Sequence, residues 1–408
     1  MREFALSPPP STPLPPPRPV LLFYCQHSLG IGHLTRSFAL AHALGALFRV
    51  VFLNGGPLPV GVRVPDAIEL VDLPPLGMDD GHHLVSRNTV QDVLLAQLRR
   101  HEMITEAARM LQPALVLIEL FPFGRKKFAG EILALIRAAR RQRPDVRVVC
   151  SLRDILVDGR RDQQHHDDRA RWLANRYFDA VLVHSDPAFA RIEDSFRPAR
   201  PLAVPVHYTG YVVPARAADP VARRDDRLLV SAGGGIVGFP LFAAALAAHA
   251  LRPTSGLQLR IVVGPFLPDA EWVALQGMAC GRADVELVRH VPDLAIEMRR
   301  ARLSVSQCGY NTALDIVVAG VPALVVPYAA PGENEQSRRA EALAALGAVR
   351  HLPAARLEPA RLATAIDETL AFSPKPAALA LDGAQRSAEL LAQLMPIRNS
   401  GVPRSFHA

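Results

Sequence analysis

Short apolar runs separated by helical stretches constrain this chain more than any other feature. Val20 to Cys25, Arg49 to Leu53, Ala114 to Ile118, Val146 to Cys150 and Ala180 to Val183 are almost continuously hydrophobic, as strands buried on both faces of a parallel sheet are. A second series begins at Leu228 to Val230 and continues with Leu259 to Val263, Val285 to Val288, Leu303 to Val305 and Ala323 to Val326. Parallel strands need crossover connections, so each series predicts one doubly wound α/β domain, the two facing each other across a cleft. Between them Pro214 to Asp226, rich in alanine, arginine, aspartate and proline, reads as a linker. The expected division is a disordered proline-rich tail over 1–19, a first domain over 20–213, a linker over 214–226, a second domain over 227–397 and a tail over 398–408. At 408 residues the chain is long for one core, in keeping with two domains of roughly 200 residues each.

The net charge is +7, but Lys126, Lys127 and Lys375 are the only lysines, so 43 of the 46 basic residues are arginines. No basic block is interleaved with aromatic residues as a nucleic-acid groove requires, so nucleic acid is not expected as a partner. A basic surface does attract anionic lipid or an anionic substrate. The apolar run from Val20 ends at Cys25, far too short to span a bilayer, which limits any membrane contact to a peripheral one. Cys25, Cys150, Cys280 and Cys308 lack paired metal-ligand spacing and are expected to be reduced thiols of a cytoplasmic protein.

Glycine-bearing turns follow the first strand of each domain. They are Gln26-His27-Ser28-Leu29-Gly30-Ile31-Gly32-His33, leading into helical Thr35 to Leu47, and Ala232-Gly233-Gly234-Gly235, leading into the helix through Phe242. Glycine lets backbone approach a ligand, and the helix N-terminus that follows attracts anions. The richest stretch is Ser306-Gln307-Cys308-Gly309-Tyr310-Asn311-Thr312, then Asp315, Gly320-Val321-Pro322 and Glu335-Gln336. There a strand enters a turn, and a helix is expected to open at Asn311 or Thr312, both good N-caps. Its first N–H groups favour a diphosphate, Asp315 suits a ribose, and Glu335 and Gln336 suit sugar hydroxyls.

This ordered set resembles the donor signature of the GT-B glycosyltransferases. The likeness is to family 28, which includes the bacterial N-acetylglucosaminyltransferase making lipid II, and more distantly to the plant UDP-glucosyltransferases. Gln307 stands where the plant family has a phosphate-contacting histidine, and Asp315 replaces the ribose-binding glutamate. The loop Gly30 to His33, Glu119 to Arg125, Ser151 to Leu156 and Tyr208 to Tyr211 are similar to a group of uncharacterised bacterial glycosyltransferases, a likeness covering most of residues 20 to 350. The resemblance implies a GT-B fold and an inverting transfer of a hexosyl or N-acetylhexosaminyl group from a UDP-sugar to an unidentified acceptor hydroxyl. No cofactor and no obligatory metal are implied. The implied donor set is Gly233, Gly234, Gly235, His290, Val291, Ser306, Gln307, Gly309, Asn311, Thr312, Asp315, Glu335 and Gln336; Gly30, Gly32, Arg125 and Arg153 belong to the acceptor side of the cleft, with Arg153 or Arg125 also open as a partner of the leaving diphosphate.

Direct displacement needs a base at the acceptor hydroxyl and stabilisation of the leaving diphosphate. His33 has the intrinsic pKa for the base, and Glu119 stands where plant relatives place an acidic partner. The alternatives are that His33 caps its helix or binds acceptor, and that Glu119 pairs with Arg125. Asp79-Asp80-Gly81-His82-His83 and His165-His166-Asp167-Asp168 resemble metal sites, but without metalloprotease spacing they read as solvated polar surface, and the Pro57 to His83 loop reads as a wall of the acceptor pocket. A UDP-N-acetylglucosamine 2-epimerase and a non-catalytic nucleotide-sugar sensor are the runner-up readings. A nicotinamide enzyme would need a fuller glycine fingerprint. The expected location is the cytoplasm, with peripheral contact at the inner face of the membrane.

Overall fold

The computed structural model describes residues 18–27, 32–59, 61–79, 83–87, 92–215, 223–252, 256–330 and 333–395. The first half contains β1 (Val20–Cys25), α1 (Gly32–Leu44), β2 (Arg49–Asn54), β3 (Ile68–Asp72), a hairpin of β4 (Leu76–Met78) and β5 (Leu84–Ser86), and α2 (Val93–Leu111). It continues with β6 (Leu115–Glu119), α3 (Ala129–Gln142), β7 (Arg147–Arg153), α4 (Gln163–Tyr177), β8 (Ala180–His184) and β9 (Val206–Tyr208). Seven strands form one parallel sheet in the order β3-β2-β1-β6-β7-β8-β9. The period of two that defines a strand decides its packing. Leu22 and Tyr24 of β1 enter the core on one face of the sheet, and Leu21, Phe23 and Cys25 enter the core on the other.

The second half holds β10 (Asp225–Ser231), α5 (Phe239–Ala250), β11 (Gln258–Val262), α6 (Asp269–Ala279), β12 (Val285–Val288), α7 (Leu294–Arg300) and β13 (Ala301–Ser306). Then come α8 (Tyr310–Ala319), β14 (Ala323–Val325), α9 (Glu335–Ala345), β15 (Arg350–His351), α10 (Pro359–Leu370) and α11 (Gly383–Leu394). Its six-stranded parallel sheet has the order β12-β11-β10-β13-β14-β15. In both sheets the chain builds outward in one direction and then returns to build in the other. The reversal lies between β1 and β6 in the first sheet and between β10 and β13 in the second, and at such a switch point the loops diverge and leave a crevice.

Several boundaries differ from the sequence reading. The expected linker 214–226 loses its last two residues to β10, and residues 216–222 lie outside the described residues, as do 1–17 and 398–408 of the expected tails and 396–397 of the expected second domain. The last helix of the expected second domain, 227–397, packs on the first. Ala388 and Leu391 of α11 are buried in the first domain's core beside Leu34 and Phe38, and Leu394 O accepts a hydrogen bond from Arg147 Nε at 3.2 Å. The apolar face of α11 is thus satisfied across the domain boundary, which local pattern does not reveal. The Pro57 to His83 stretch is not one continuous loop, since β3 and β4 lie within it.

His166 and Asp167 are not solvated surface either; they are buried on α4. Asp167 Oδ2 accepts from Arg197 N at 2.9 Å and Asp168 Oδ1 from Ala199 N at 2.8 Å, so these carboxylates pin a neighbouring loop. Of the other polar run, Asp80 to His82 lie outside the described residues. Among the described residues no helix is long and apolar enough to cross a membrane, and no group of three His, Cys, Asp or Glu is arranged to hold a metal.

Candidate active site

Two walls meet where the two switch points face each other. In the first, α1 begins at Gly32, three residues earlier than expected, which puts His33 in its first turn rather than in the preceding loop; Gly30 lies outside the described residues. Glu119 ends β6 and is fully buried. The His33 ring meets it, with Nδ1 2.5 Å from Glu119 Oε1. Arg36, one turn further along α1, donates to the same oxygen at 2.6 Å, and Arg125 Nη2 lies 3.6 Å from Oε2. Burial alone would raise the Glu119 carboxyl, but His33, Arg125 and Arg36 together hold it well below the usual carboxylate range. An ionised carboxylate only accepts hydrogen bonds, so His33 Nδ1 carries the proton and donates. Nε2 is then the lone-pair nitrogen. Burial lowers the His33 pKa to about 3, more than Glu119 raises it, and Arg125 and Arg153 push in the same direction as burial. The resting imidazole is neutral. Both sequence alternatives for Glu119 are met at once, since it contacts His33 and Arg125 together.

The second wall is built mostly from backbone. Gly233 and Gly235 take φ of +56° and +95°. Gly235 needs its missing side chain as well as its backbone freedom, because a Cβ there would lie 2.2 Å from Val263 O. Ser231 and Ser306 sit side by side at the ends of β10 and β13, buried, and neither hydroxyl has a hydrogen-bond partner among the described residues. After β13, α8 opens at Tyr310 with Gly309 as N-cap, not at Asn311 or Thr312. The reason is tertiary: Tyr310 O–H donates to His184 O at 3.1 Å and accepts from Val212 N at 3.1 Å, fixing the start of the helix against the first domain. No side chain caps α8, so its first N–H groups and dipole face the crevice. Thr312 Oγ1 would be 3.8 Å from a Cβ at Gly233, so the glycine turn and the helix end border one space. Asp315 lies one turn into α8, buried.

Several expected donor side chains have other partners. Gln307 Nε2 donates to Val237 O at 3.0 Å, and Gln336 Oε1 accepts from Cys308 N at 3.0 Å and Tyr328 N at 3.1 Å, so both amides brace the turns around the crevice. Val291 packs in the core of the second domain. His290 is exposed and lies against Gly61 of the first domain, where a Cβ would come 2.7 Å from the ring. Asn311 Nδ2 reaches across the crevice to Gly32 O at 3.0 Å, and Glu335 forms an ion pair with Arg153.

The sequence reading missed several side chains that join the walls. Arg36 shares Glu119 and lies over the Tyr310 ring at 5.3 Å, linking the two walls. Its i+3 spacing from His33 was the available signal. Arg339 on α9 binds Asp154 bidentately at 2.9 and 2.8 Å and donates to Cys308 O at 2.8 Å. Burial alone would lower the Arg339 pKa, but Asp154 more than offsets it and the guanidinium stays charged. Nearby, Asp158 accepts from Asn334 Nδ2 at 2.5 Å and Arg338 Nη1 at 2.8 Å. These ties run from the loop after β7 to α9 and hold the walls together.

Comparison with known proteins places both halves. Residues 229–395 match the glycosyltransferase family 28 C-terminal domain. The UDP-N-acetylglucosamine–N-acetylmuramyl-(pentapeptide) pyrophosphoryl-undecaprenol N-acetylglucosamine transferase of Mesorhizobium japonicum is 31% identical over 203 residues, 48% of this chain and 52% of that protein. The enzyme of the same name from Rhizobium etli is 28% identical over 167 residues, 40% of this chain and 45% of the relative. The chain thus spans about half the length of the curated relatives it matches. The glycosyltransferase of kitacinnamycin superposes with a TM-score of 0.58 at 18% identity, over 93% of this chain and 100% of that one. Acinetobacter baumannii MurG superposes at 0.55 and 16% identity, over 92% of this chain and 100% of its own. These structures share the GT-B arrangement of two Rossmann-like domains, which is the fold of this chain.

Proposed function

We propose that this chain, whose carboxy-terminal half carries the glycosyltransferase family 28 domain, transfers a hexosyl or N-acetylhexosaminyl group from a UDP-sugar to an acceptor hydroxyl with inversion. The observation that carries this reading is the Asn311 to Gly32 contact at 3.0 Å, which brings the uncapped start of α8 against the start of α1, one residue from His33. A neutral base and an anion-binding helix end then border one crevice. His33 Nε2 takes the proton of the acceptor hydroxyl while Nδ1–H stays on Glu119, and the acceptor oxygen forms its bond to the anomeric carbon as the bond to the diphosphate breaks. Charge growing on the diphosphate meets the N–H groups of α8 and of the Gly233 to Gly235 turn. Asp315 is assigned to the ribose and Gln336 Nε2 to a sugar hydroxyl. The names of the relatives support UDP-N-acetylglucosamine as donor. No metal or cofactor enters the proposed reaction.

A peripheral position at the cytoplasmic face of a membrane is part of the proposal. Leu94, Leu95 and Leu98 are exposed on α2 of the first domain, and the matched relatives are named for an undecaprenol-linked substrate.

The test is thermal unfolding with UDP and, separately, with NADH. UDP at about 100 times its dissociation constant adds roughly 2.7 kcal/mol of stability and raises the midpoint. No shift with millimolar UDP alongside a clear shift with NADH rejects the transferase. UDP binding accompanied by interconversion of UDP-N-acetylglucosamine and its 2-epimer points to the epimerase instead.

A further inference from the structure

Arg36 sits on the seam between the two domains. It lies one turn beyond His33 on α1, buried, and donates from Nη2 to Glu119 Oε1 at 2.6 Å. His33 Nδ1 meets that same oxygen at 2.5 Å, so one acceptor atom serves both residues. Arg36 also lies over the Tyr310 ring, with its guanidinium carbon 5.3 Å from the ring centroid. Its Nε is buried without a hydrogen bond among the described residues, so a carboxylate oxygen and an aromatic face are what place the group. Tyr310 is the first residue of α8, the helix whose uncapped start is the expected diphosphate site. Beside it Asn311 Nδ2 donates to Gly32 O at 3.0 Å. Two consecutive residues of α8 therefore meet two positions one turn apart on α1, and the seam has a fixed register.

Resting on the transferase reading above, we infer that Arg36 is a positioning residue: seated on the Tyr310 ring, it sets the Glu119 carboxylate and, through it, the His33 imidazole, so the base takes its working orientation only with the donor helix in place. The attraction between a cation and a ring face is short-ranged and strongest where water is excluded, as it is here. Two donors on one carboxylate oxygen share its lone pairs. A shift of Arg36 with the ring therefore moves Oε1 relative to His33 Nδ1 and re-aims Nε2, the nitrogen that receives the proton, where small misplacements are expensive. A diphosphate drawn to the first N–H groups of α8 acts on the helix whose first ring carries Arg36. Donor occupancy is in this way felt at the base before an acceptor reacts. An ion pair that only neutralised buried Glu119 would not need its cation stacked on the other domain.

The experiment follows the His33 imidazole by nuclear magnetic resonance in the full chain, its signal identified by its loss in His33→Gln, against pH and with or without UDP. Calorimetry on the same variants measures UDP binding. Glu119, Arg125 and Arg153 face His33, while Cys25, Cys150, His184 and Tyr310 face Arg36. Burial keeps those two thiols, the phenol and His184 neutral, so Arg36 is the charge that the variants change. Because His33 is lowered to about 3, the parent signal should stay that of the neutral ring until the pH nears that value. Arg36→Met removes a cation beside Glu119 and should raise the proton affinity of His33 roughly tenfold or more, so the signal titrates at higher pH. Arg36→Lys restores the charge and should recover most of the parent's pH behaviour. UDP should shift the His33 signal in the parent and in Tyr310→Phe, which keeps the ring. The shift should be lost or sharply reduced in Arg36→Met and Tyr310→Leu, with UDP still bound; if Tyr310→Leu does not fold, the Arg36 variants carry the test. An equal UDP response in parent and Arg36→Met means that the nucleotide acts on His33 through space, and it overturns the inference. So does an Arg36→Met signal that titrates where the parent's does, or a response already lost in Tyr310→Phe, which would make the hydroxyl and not the ring the route. No response in a parent that binds UDP overturns it too and leaves the transferase reading standing. If the parent does not bind UDP, the transferase reading fails and this one with it.

Discussion

The two walls of the cleft are made of different material. The first presents polar side chains, neutral His33 and charged Glu119, Arg36, Arg125 and Arg153, drawn from α1, β6, the loop after it and β7. The second presents mainly backbone, a glycine turn and an uncapped helix end, while its polar side chains Gln307, Gln336 and Asn311 hold loops in place. Side-chain chemistry is removed by a single substitution that leaves the backbone as it was. A backbone site can be altered only by changing geometry. Substitutions in the first wall should therefore appear in turnover and pH dependence, and those in the second in stability and donor affinity.

The largest effect expected is on turnover. His33→Ala should lower it by roughly 10² to 10⁴ with donor affinity nearly unchanged, and Glu119→Gln should cost less because the imidazole is misoriented rather than lost. Steady-state kinetics with saturating donor and varied acceptor separate the cases: a raised acceptor KM with turnover preserved would make His33 a binding residue. The pH profile sharpens the comparison. Because His33 is lowered to about 3, the acid limb of kcat/KM should lie near that value instead of near the ordinary 6.5. Stability follows the same asymmetry. The folded chain keeps His33 neutral while the unfolded chain protonates it from about 6.5, so its contribution is complete above that pH and falls as pH drops toward about 3. The depressed Glu119 carboxyl adds loss in acid in the same direction.

Next in size is the tie between the walls. Arg339→Met leaves the Asp154 carboxylate buried and unpaired, which should cost about 3–5 kcal/mol. The double variant with Asp154→Leu should recover much of that, since two apolar groups leave no buried charge. Chemical denaturation of the three variants measures it. A double variant as unstable as Arg339→Met would mean that the donor from Arg339 to Cys308 O, not the ion pair, is what matters.

This tie also shows where the sequence stops being informative. The strands were legible because runs such as Val20 to Cys25 are buried on both faces, and the glycine turns because each follows the first strand of its sheet. Pairings such as Arg36 with Glu119, 83 residues apart, and Arg339 with Asp154, 185 apart, have no local signature. The start of α8 was misplaced for a related reason. Asn311 and Thr312 have good N-cap chemistry, but anchoring of Tyr310 by His184 O and Val212 N overrides propensity. His33 and Glu119 came from a family likeness plus residue chemistry. Their shared Arg36, which links them to the other wall, became visible only in three dimensions.

The glycine turn should answer in stability. Gly235→Ala meets both an unfavourable φ of +95° and a carbonyl at 2.2 Å, and should cost roughly 2–4 kcal/mol. Gly309→Ala is the control, because φ there is −63° and nothing lies within 4 Å of an added Cβ. It should leave the unfolding midpoint nearly unchanged. If Gly309→Ala nevertheless lowers UDP affinity, the open space beside Gly309 is where the ligand approaches the backbone. If both variants unfold alike, the rigid packing ascribed to the Gly235 turn is wrong.

The smallest effect expected is the one that tests the division between the walls most directly. Asn311 was assigned to the donor by its place in the signature, but its amide donates to Gly32 O across the crevice. A neutral hydrogen bond of this kind contributes on the order of 0.5–1.5 kcal/mol, and this one is partly open to solvent, so Asn311→Ala should lie at the low end. As a tie between domains, the residue should matter more to the acceptor side than to the donor: UDP affinity should hold within about twofold, while acceptor KM rises because α1 and His33 are less firmly placed against α8. As a donor ligand, it should behave oppositely, with UDP affinity falling and acceptor KM unchanged. Calorimetry with UDP and acceptor-dependent kinetics on the same variant separate the two. A loss in UDP affinity approaching tenfold would return Asn311 to the donor site and show that the second wall also reads its ligand with side chains.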